Sequence, residues 1–379
     1  MFPVRILLVC VLAVAAINVA RACSLCALSG KRHSLGGELD RSEFAIYGTI
    51  ANPRFVTDGR PGAGVTEFRI EKVFKNHPDL GTAKTIELPR YLPVLDPKNP
   101  PRYVVFGDFH KGKPDTFQGF SIRTPAVLEY LEATRPLRNG PRLDALTVYA
   151  RYLDHPDPQV AEDAFLEFAL SRDHEVLEAA KKVDLDKLRK LLADPKLDAD
   201  RASLFAFMLG TVGQARDAEW FVQVLQKPTP EQARGFDGLL AGYMTLDPKN
   251  GWTKAWEILG DAKKPFVQRY GAIRAVRFFR NADAKALRPR VLHGYKLGVL
   301  DGELADIAID DLRQWKAWEL TDIILEQYGK SSHRTSIVER GIVRYALCCP
   351  LPQARALVER ARRTDAEMVR DIEDSLKAN

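Results

Sequence analysis

The sequence predicts an α+β chain of more than one domain, with a small β-barrel at the front and an all-α stack of helices behind it. Three observations carry this reading. Short runs of alternating apolar and polar residues fill the stretch from about Glu43 to Ile122. Beyond residue 141 the apolar period becomes helical, with breaks marked by proline. Ahead of both, an apolar run stops abruptly at Ala20-Arg21-Ala22.

That leading run comes first in the chain. One cation, Arg5, precedes the stretch Ile6 to Val19, which only Asn18 interrupts. The run is shorter than the roughly 20 apolar residues a bilayer span needs, and a small residue, any residue and a small residue is what signal peptidase reads. Residues 1–22 are therefore expected to be a signal peptide cut between Ala22 and Cys23, and the protein to be exported, periplasmic or extracellular. No later run is apolar enough to predict a transmembrane segment. About 357 residues remain after the cut, room for two or three domains. Lys and Arg number 56 against 50 Asp and Glu, spread along the chain, so nucleic acid is not an expected partner.

Residues 23–42 form a cysteine-containing segment. Cys10 leaves with the leader, so Cys23, Cys26, Cys348 and Cys349 remain. An even number in an oxidising compartment favours disulfides, through a local Cys23–Cys26 loop or links between the chain ends. Cys-x-x-Cys also suits half a zinc site completed by Cys348 and Cys349 or by His33, a redox pair, or lipid attachment at Cys23. Each of these lacks a usual companion. A redox motif should follow a strand and open a helix, haem attachment needs His where Ala27 stands, and Arg21 occupies a place where a lipoprotein signal wants a small neutral residue. The expectation is disulfides, with no metal and no cofactor.

Residues 43–134 are read as the barrel and a capping helix near Ala126 to Leu131. The strands are Phe44 to Ile50, Val65 to Phe74, Thr85 to Leu88, Tyr103 to Phe106 and Phe117 to Ile122. Phe68, Ile70, Lys72 and Phe74 alternate with Glu67, Arg69, Glu71 and Val73, as in a sheet with one wet face. Five such strands in about 80 residues suit a barrel, which leaves no edge exposed. The runs Phe44-Ala45-Ile46-Tyr47-Gly48, Phe68 to Lys75 and Arg102-Tyr103-Val104-Val105-Phe106-Gly107 resemble the OB-fold barrel of TIMP-like and netrin-like modules. That resemblance implies an OB-like barrel and, by analogy with TIMP-type inhibitors, a metalloprotease inhibitor acting through the amino terminus of Cys23. Those inhibitors begin Cys-x-Cys, whereas this chain has Cys-x-x-Cys and no cysteine in the barrel.

After a linker at Arg135 to Pro141, residues 141–379 read as roughly fourteen helical segments. Ala218, Phe221, Val222 and Leu225, and Val338, Ile342, Tyr345 and Ala346, each mark one apolar stripe. Asp157-Pro158, Thr229-Pro230 and Asp247-Pro248 are helix starts. Three segments led by Arg201, Arg269 and Arg334 look alike at offsets of 68 and 65 residues, close to two helix pairs of a HEAT-like, armadillo-type solenoid. The whole order resembles a family of exported bacterial proteins that combine such a β module with a HEAT-like tail.

Candidate sites in the helices are few. His174-Glu175-Val176-Leu177-Glu178 has Glu where a zinc-protease helix needs its second His. Glu303, Asp306, Asp310 and Asp311 share a helix face, as a cation site would. Trp252 with Trp256, and Trp315 with Trp318, could line a binding groove or fill a core. No nucleotide-binding or serine-hydrolase motif occurs. The expected function is a non-enzymatic exported interaction scaffold whose helices bind a protein or cell-envelope component. The alternatives are an inhibitor acting through Cys23 or an envelope hydrolase with an unrecognised site. The first prediction follows: N-terminal sequencing of the exported protein starts at Cys23, and retention of residues 1–22 contradicts the location.

Overall fold

In the computed structural model of the chain, residues 33–56, 64–194, 196–280 and 285–378 are described. The expected leader, the expected cleavage point between Ala22 and Cys23, and the pair Cys23 and Cys26 lie outside them. The first element, α1 (Leu35–Arg41), falls inside the segment read only as cysteine-containing. Ser34 caps it by accepting from Gly37 N, and Leu35 and Leu39 bury its inner side.

Strands β1 (Phe44–Phe55), β2 (Gly64–Lys75), β3 (Thr85–Leu88), β4 (Arg102–His110) and β5 (Lys113–Ser121) follow. They form one antiparallel sheet in the order β3-β2-β1-β4-β5. The edges β3 and β5 share no ladder, so the sheet is open and the expected OB-like barrel is not formed. The reason lies in β3, which has only four residues. Pro89 follows it with no N–H to donate, and Arg90 N turns back onto Leu88 O instead of continuing the ladder.

The sheet is nevertheless strongly bent. Against β1, the β2 strand carries an extra residue at Glu71 and another at Phe74, and each bulge adds twist and re-aims the following side chains. Gly48 lets the two backbones meet at the bend, where a Cβ would fall on Arg69 O. Phe68 consequently points inside the curl with Phe44, Ile46, Ile50, Ile86, Leu88 and Val105. Phe74 points to the other face with Tyr47, Val104 and Phe106. Along β2 the expected wet face is present, with Arg69, Glu71 and Val73 exposed and Phe68 and Phe74 buried, although Lys72 is exposed too; residues 44–50 of the central strand β1 are all buried, because both of its faces are covered.

The rest is helical: α2 (Ala126–Thr134), α3 (Arg142–Tyr149), α4 (Pro158–Ala169), α5 (Asp173–Ala180), α6 (Leu185–Leu192), α7 (Ala199–Val212), α8 (Ala215–Gln226), α9 (Pro230–Arg234), α10 (Phe236–Leu246), α11 (Pro248–Gly260), α12 (Phe266–Phe278), α13 (Arg288–Leu300), α14 (Ala305–Gln314), α15 (Thr321–Leu325), α16 (Ser336–Cys348), α17 (Pro352–Thr364) and α18 (Ala366–Lys377). Asp157, Thr229 and Asp247 cap α4, α9 and α11 through their side chains. Helices stack mainly on their near neighbours in the chain, α10 on α12, α11 on α13, α14 on α16 and α16 on α18. The centre departs from a regular solenoid, since residues 202–210 of α7 and 236–244 of α10 are buried on every side. Small residues allow this: a Cβ on Gly210 would strike Gly242, and one on Gly242 would strike Ala206 O.

One apolar core runs from the outer face of the sheet, through α1 and α2, to the last helix. The linker at Arg135 to Asn139 is a 3-10 helix in that packed region, with Arg135 Nη1 donating to Phe74 O at 2.6 Å. A matched pair of substitutions tests the close helix contact. Gly242→Ala should cost about 2 kcal/mol or more because backbone must move. Gly341→Ala in α16, where a Cβ meets nothing within 4 Å, should gain about 0.5–1 kcal/mol. Urea unfolding of both variants checks this, and equal effects contradict it.

Candidate functional site

The densest buried cluster of ionisable groups among the described residues lies where α1 meets α4. Asp163 and Glu167 stand four positions apart on α4, one turn above the other on its buried side. Asp163 Oδ1 accepts from Leu35 N at 2.6 Å, and Oδ2 accepts from Tyr130 Oη at 2.8 Å. Glu167 Oε1 accepts from Ser34 Oγ at 2.5 Å and from Arg138 Nη1 at 2.8 Å, while Arg142 Nη1 sits 2.6 Å from Oε2. Arg142 also donates to Glu167 O at 2.5 Å and to Ser171 Oγ at 2.9 Å. The far side of Arg138 pairs with Asp40 on α1. Tyr130 packs edge-on against Tyr152, ring centres 4.9 Å apart.

A cleft of about 420 Å³ opens beside this cluster, lined among others by Arg138, Arg142, Tyr149, Ser171, Arg172 and Glu175. Burial pushes the Asp163 carboxyl up to about 7, with the Leu35 N–H opposing the shift. Burial also pushes the Tyr149 hydroxyl up to about 12. Ser34 beside a carboxylate suggests a nucleophile and base, but Glu167 is already held by both Arg138 and Arg142. Ser34 Oγ is itself engaged as the α1 cap. Chemically the cluster is a strut that fixes α1 and the sheet to the helices.

A second set of charged pairs braces the helices to one another. Arg201 of α7 holds Glu162 of α4 at 2.8 Å, Arg189 of α6 holds Asp217 of α8 at 2.9 Å, and Arg277 of α12 holds Asp311 of α14 at 2.7 Å. Arg274 of α12 lies 2.9 Å from the buried Asp237 Oδ2 of α10, out of line for a hydrogen bond. The hydrogen-bonded braces span 28 to 39 positions, one helix pair of chain. Arg189 lowers the Asp217 carboxyl, whereas burial raises those of Asp237 and Asp311.

Braces, local pairs and core packing account for most residues singled out in the sequence. Glu303 pairs with Arg269, Asp310 with Arg313, and Asp311 with Arg277 and Tyr295. Among the described residues no group of three or more His, Cys, Asp or Glu side chains is placed to hold a metal ion. Glu175 accepts from Arg172 N at the start of α5, and Glu178 pairs with Lys181. Trp252 is buried against Phe279, Trp315 packs edge-on to Tyr295, and Trp318 packs on Tyr345, so both pairs serve the core. Cys348 is exposed and Cys349 buried, each with a free thiol, while Cys23 and Cys26, the other two disulfide candidates, lie outside the described residues. Sequence reading missed Asp163, Glu167, Arg138 and Arg142. The available signal was three carboxylates, Glu162, Asp163 and Glu167, inside the otherwise apolar stretch Val160 to Ala169.

No protein-family model matches the chain, and no curated protein matches it. Among solved structures it is similar to human deoxyhypusine hydroxylase in complex with glycerol, at 15% identity over 64% of this chain and 98% of that one, with a TM-score of 0.27. A likeness at that level carries no argument.

The raised Asp163 carboxyl makes a testable statement about pH. Its folded value lies above the ordinary 3.8, so between about pH 4 and 7 the folded state binds more protons and stability falls as pH rises. Asp163→Asn keeps an acceptor for Leu35 N without the charge. The variant should gain on the wild type across that window, by an order of a few kcal/mol, as read from urea midpoints at several pH values. Parallel profiles contradict the assignment.

Proposed function

We propose that the chain is an exported, non-enzymatic interaction scaffold whose helical region binds a protein or cell-envelope component, with the sheet fixed to it as an accessory. One observation carries this reading. Of the four carboxylates that could have formed a metal set, Glu303 and Asp311 are engaged by arginines of α12 and Asp310 pairs with Arg313 within α14, so these charged residues work to fix the frame. The strut at Asp163 and Glu167 extends the frame to the sheet, and a fixed frame with an extended outer surface suits accumulation of many modest contacts.

Cross-linking of the full-length chain in the native envelope, followed by mass spectrometry, tests the proposal. Partner cross-links should map to residues 199–377. Cross-links confined to residues 33–121, together with inhibition of a zinc protease, favour the inhibitor reading, and substrate turnover by the purified protein ends the non-enzymatic one.

A further inference from the structure

The large apolar side chains that the helical region leaves exposed, among the described residues, are Phe266, Val267, Leu300 and Ile337. They gather at one end of the stack. Phe266 and Val267 open α12, Leu300 closes α13, and Ile337 lies in the first turn of α16. Three contacts join these ends. Arg269 of α12 pairs with Asp301 and Glu303 in the turn after α13. Gly302 in that turn lies so close to Ser332 O that a Cβ would strike it. His333 Nε2 lies 2.9 Å from Val299 O, and because a carbonyl only accepts, the ring nitrogen donates. Residues 261–267, 300–304 and 330–337 therefore form one rim.

The rim carries an excess of cations. Lys263, Lys264, Lys296, Lys330 and Arg334 are all exposed, and Lys296 sits one turn before Leu300 on the same face of α13. None of the five is in an ion pair among the described residues; Lys330 Nζ hydrogen-bonds only the amide of Gln327. Of the three carboxylates nearby, Asp301 and Glu303 hold Arg269, and Asp261 accepts from Lys263 N without an ion pair among the described residues. The apolar part is braced too. The Phe266 ring stacks on Tyr270 at 5.8 Å and 8°, and the Arg274 guanidinium lies over the far ring.

We infer that this rim seats on an anionic lipid surface, with Phe266, Val267, Leu300 and Ile337 entering the headgroup layer and the five cations facing its phosphates. The inference rests on the reading above that the helical region binds an envelope component, and it names the chemistry of that component. Interfacial binding grows with buried apolar area plus attraction to anionic lipid, and each Lys or Arg near such a surface adds to the attraction. A protein partner fits less well, because lysine is depleted from protein interfaces and these apolar side chains project from turns and helix ends.

Vesicle co-sedimentation of the processed protein tests the rim. The wild type should pellet with vesicles of phosphatidylglycerol and phosphatidylcholine and remain free with phosphatidylcholine alone. The triple variant Lys263→Glu, Lys264→Glu, Phe266→Ser should partition about tenfold or more weakly. Leu300→Ser with Ile337→Ser should weaken binding without changing charge. Phe55→Ser, an exposed aromatic at the end of β1, should bind as the wild type, with circular dichroism confirming the fold of each. Indifference to lipid charge, or full binding by the rim variants, overturns the inference. If immobilised polyglutamate instead captures the protein through the rim while vesicles do not, the lipid assignment fails and the interaction-scaffold reading stands. Vesicle binding lost only in Phe55→Ser contradicts both.

Discussion

Two carboxylates buried one turn apart on α4 constrain everything around them. A buried carboxylate without donors is costly by several kcal/mol, so Asp163 and Glu167 dictate which groups stand near. They draw in a backbone N–H and a hydroxyl from the start of α1, a tyrosine from α2 and two arginines from the chain leading into α3. The position of α1 then sets the sheet, because Lys75 Nζ of β2 donates to Leu39 O, and Leu35 and Leu39 share a core with Tyr47 and Phe106. Further along, Gln159 of α4 donates to Ser121 O at the end of β5. One helix thus carries the registration of the whole front of the molecule.

Behind that junction a different mechanism operates. Close approach of α7 and α10 through Gly210 and Gly242 maximises dispersion contact in the centre, and the arginine braces act farther out between successive helices. Exposed pairs of this kind contribute little to stability. The buried acceptors Asp217 and Asp237 matter more, since removing their arginines would strand a charge. The braces therefore select how neighbouring helices are placed more than they add to the total stability.

The strands were legible because alternation and turn residues are local: all five runs named in the sequence are strands. Whether the sheet closes was not, since closure depends on how far β3 extends before Pro89 and on bulges at Glu71 and Phe74 that shift its faces. Helix starts at Asp157, Thr229 and Asp247 were legible because a side-chain cap is a property of a few adjacent residues. Helix α1 was hidden by Gly36 and Gly37, which lower local helix propensity, and it exists because Ser34, Leu35 and Leu39 find partners far away in the chain. The same holds for the strut. Glu167 and Ser34 are 133 positions apart, and only folding shows that two carboxylates in an apolar helix have donors waiting.

The central claim is that the strut makes the front of the molecule and its helices one cooperative body. Native-state hydrogen exchange of the Leu35 amide, which donates to Asp163, tests it most directly. The account predicts that this amide exchanges only through global unfolding, with the same opening free energy and denaturant dependence as amides in α7. Exchange of Leu35 through a local opening well below the global stability, with α7 still protected, would contradict it.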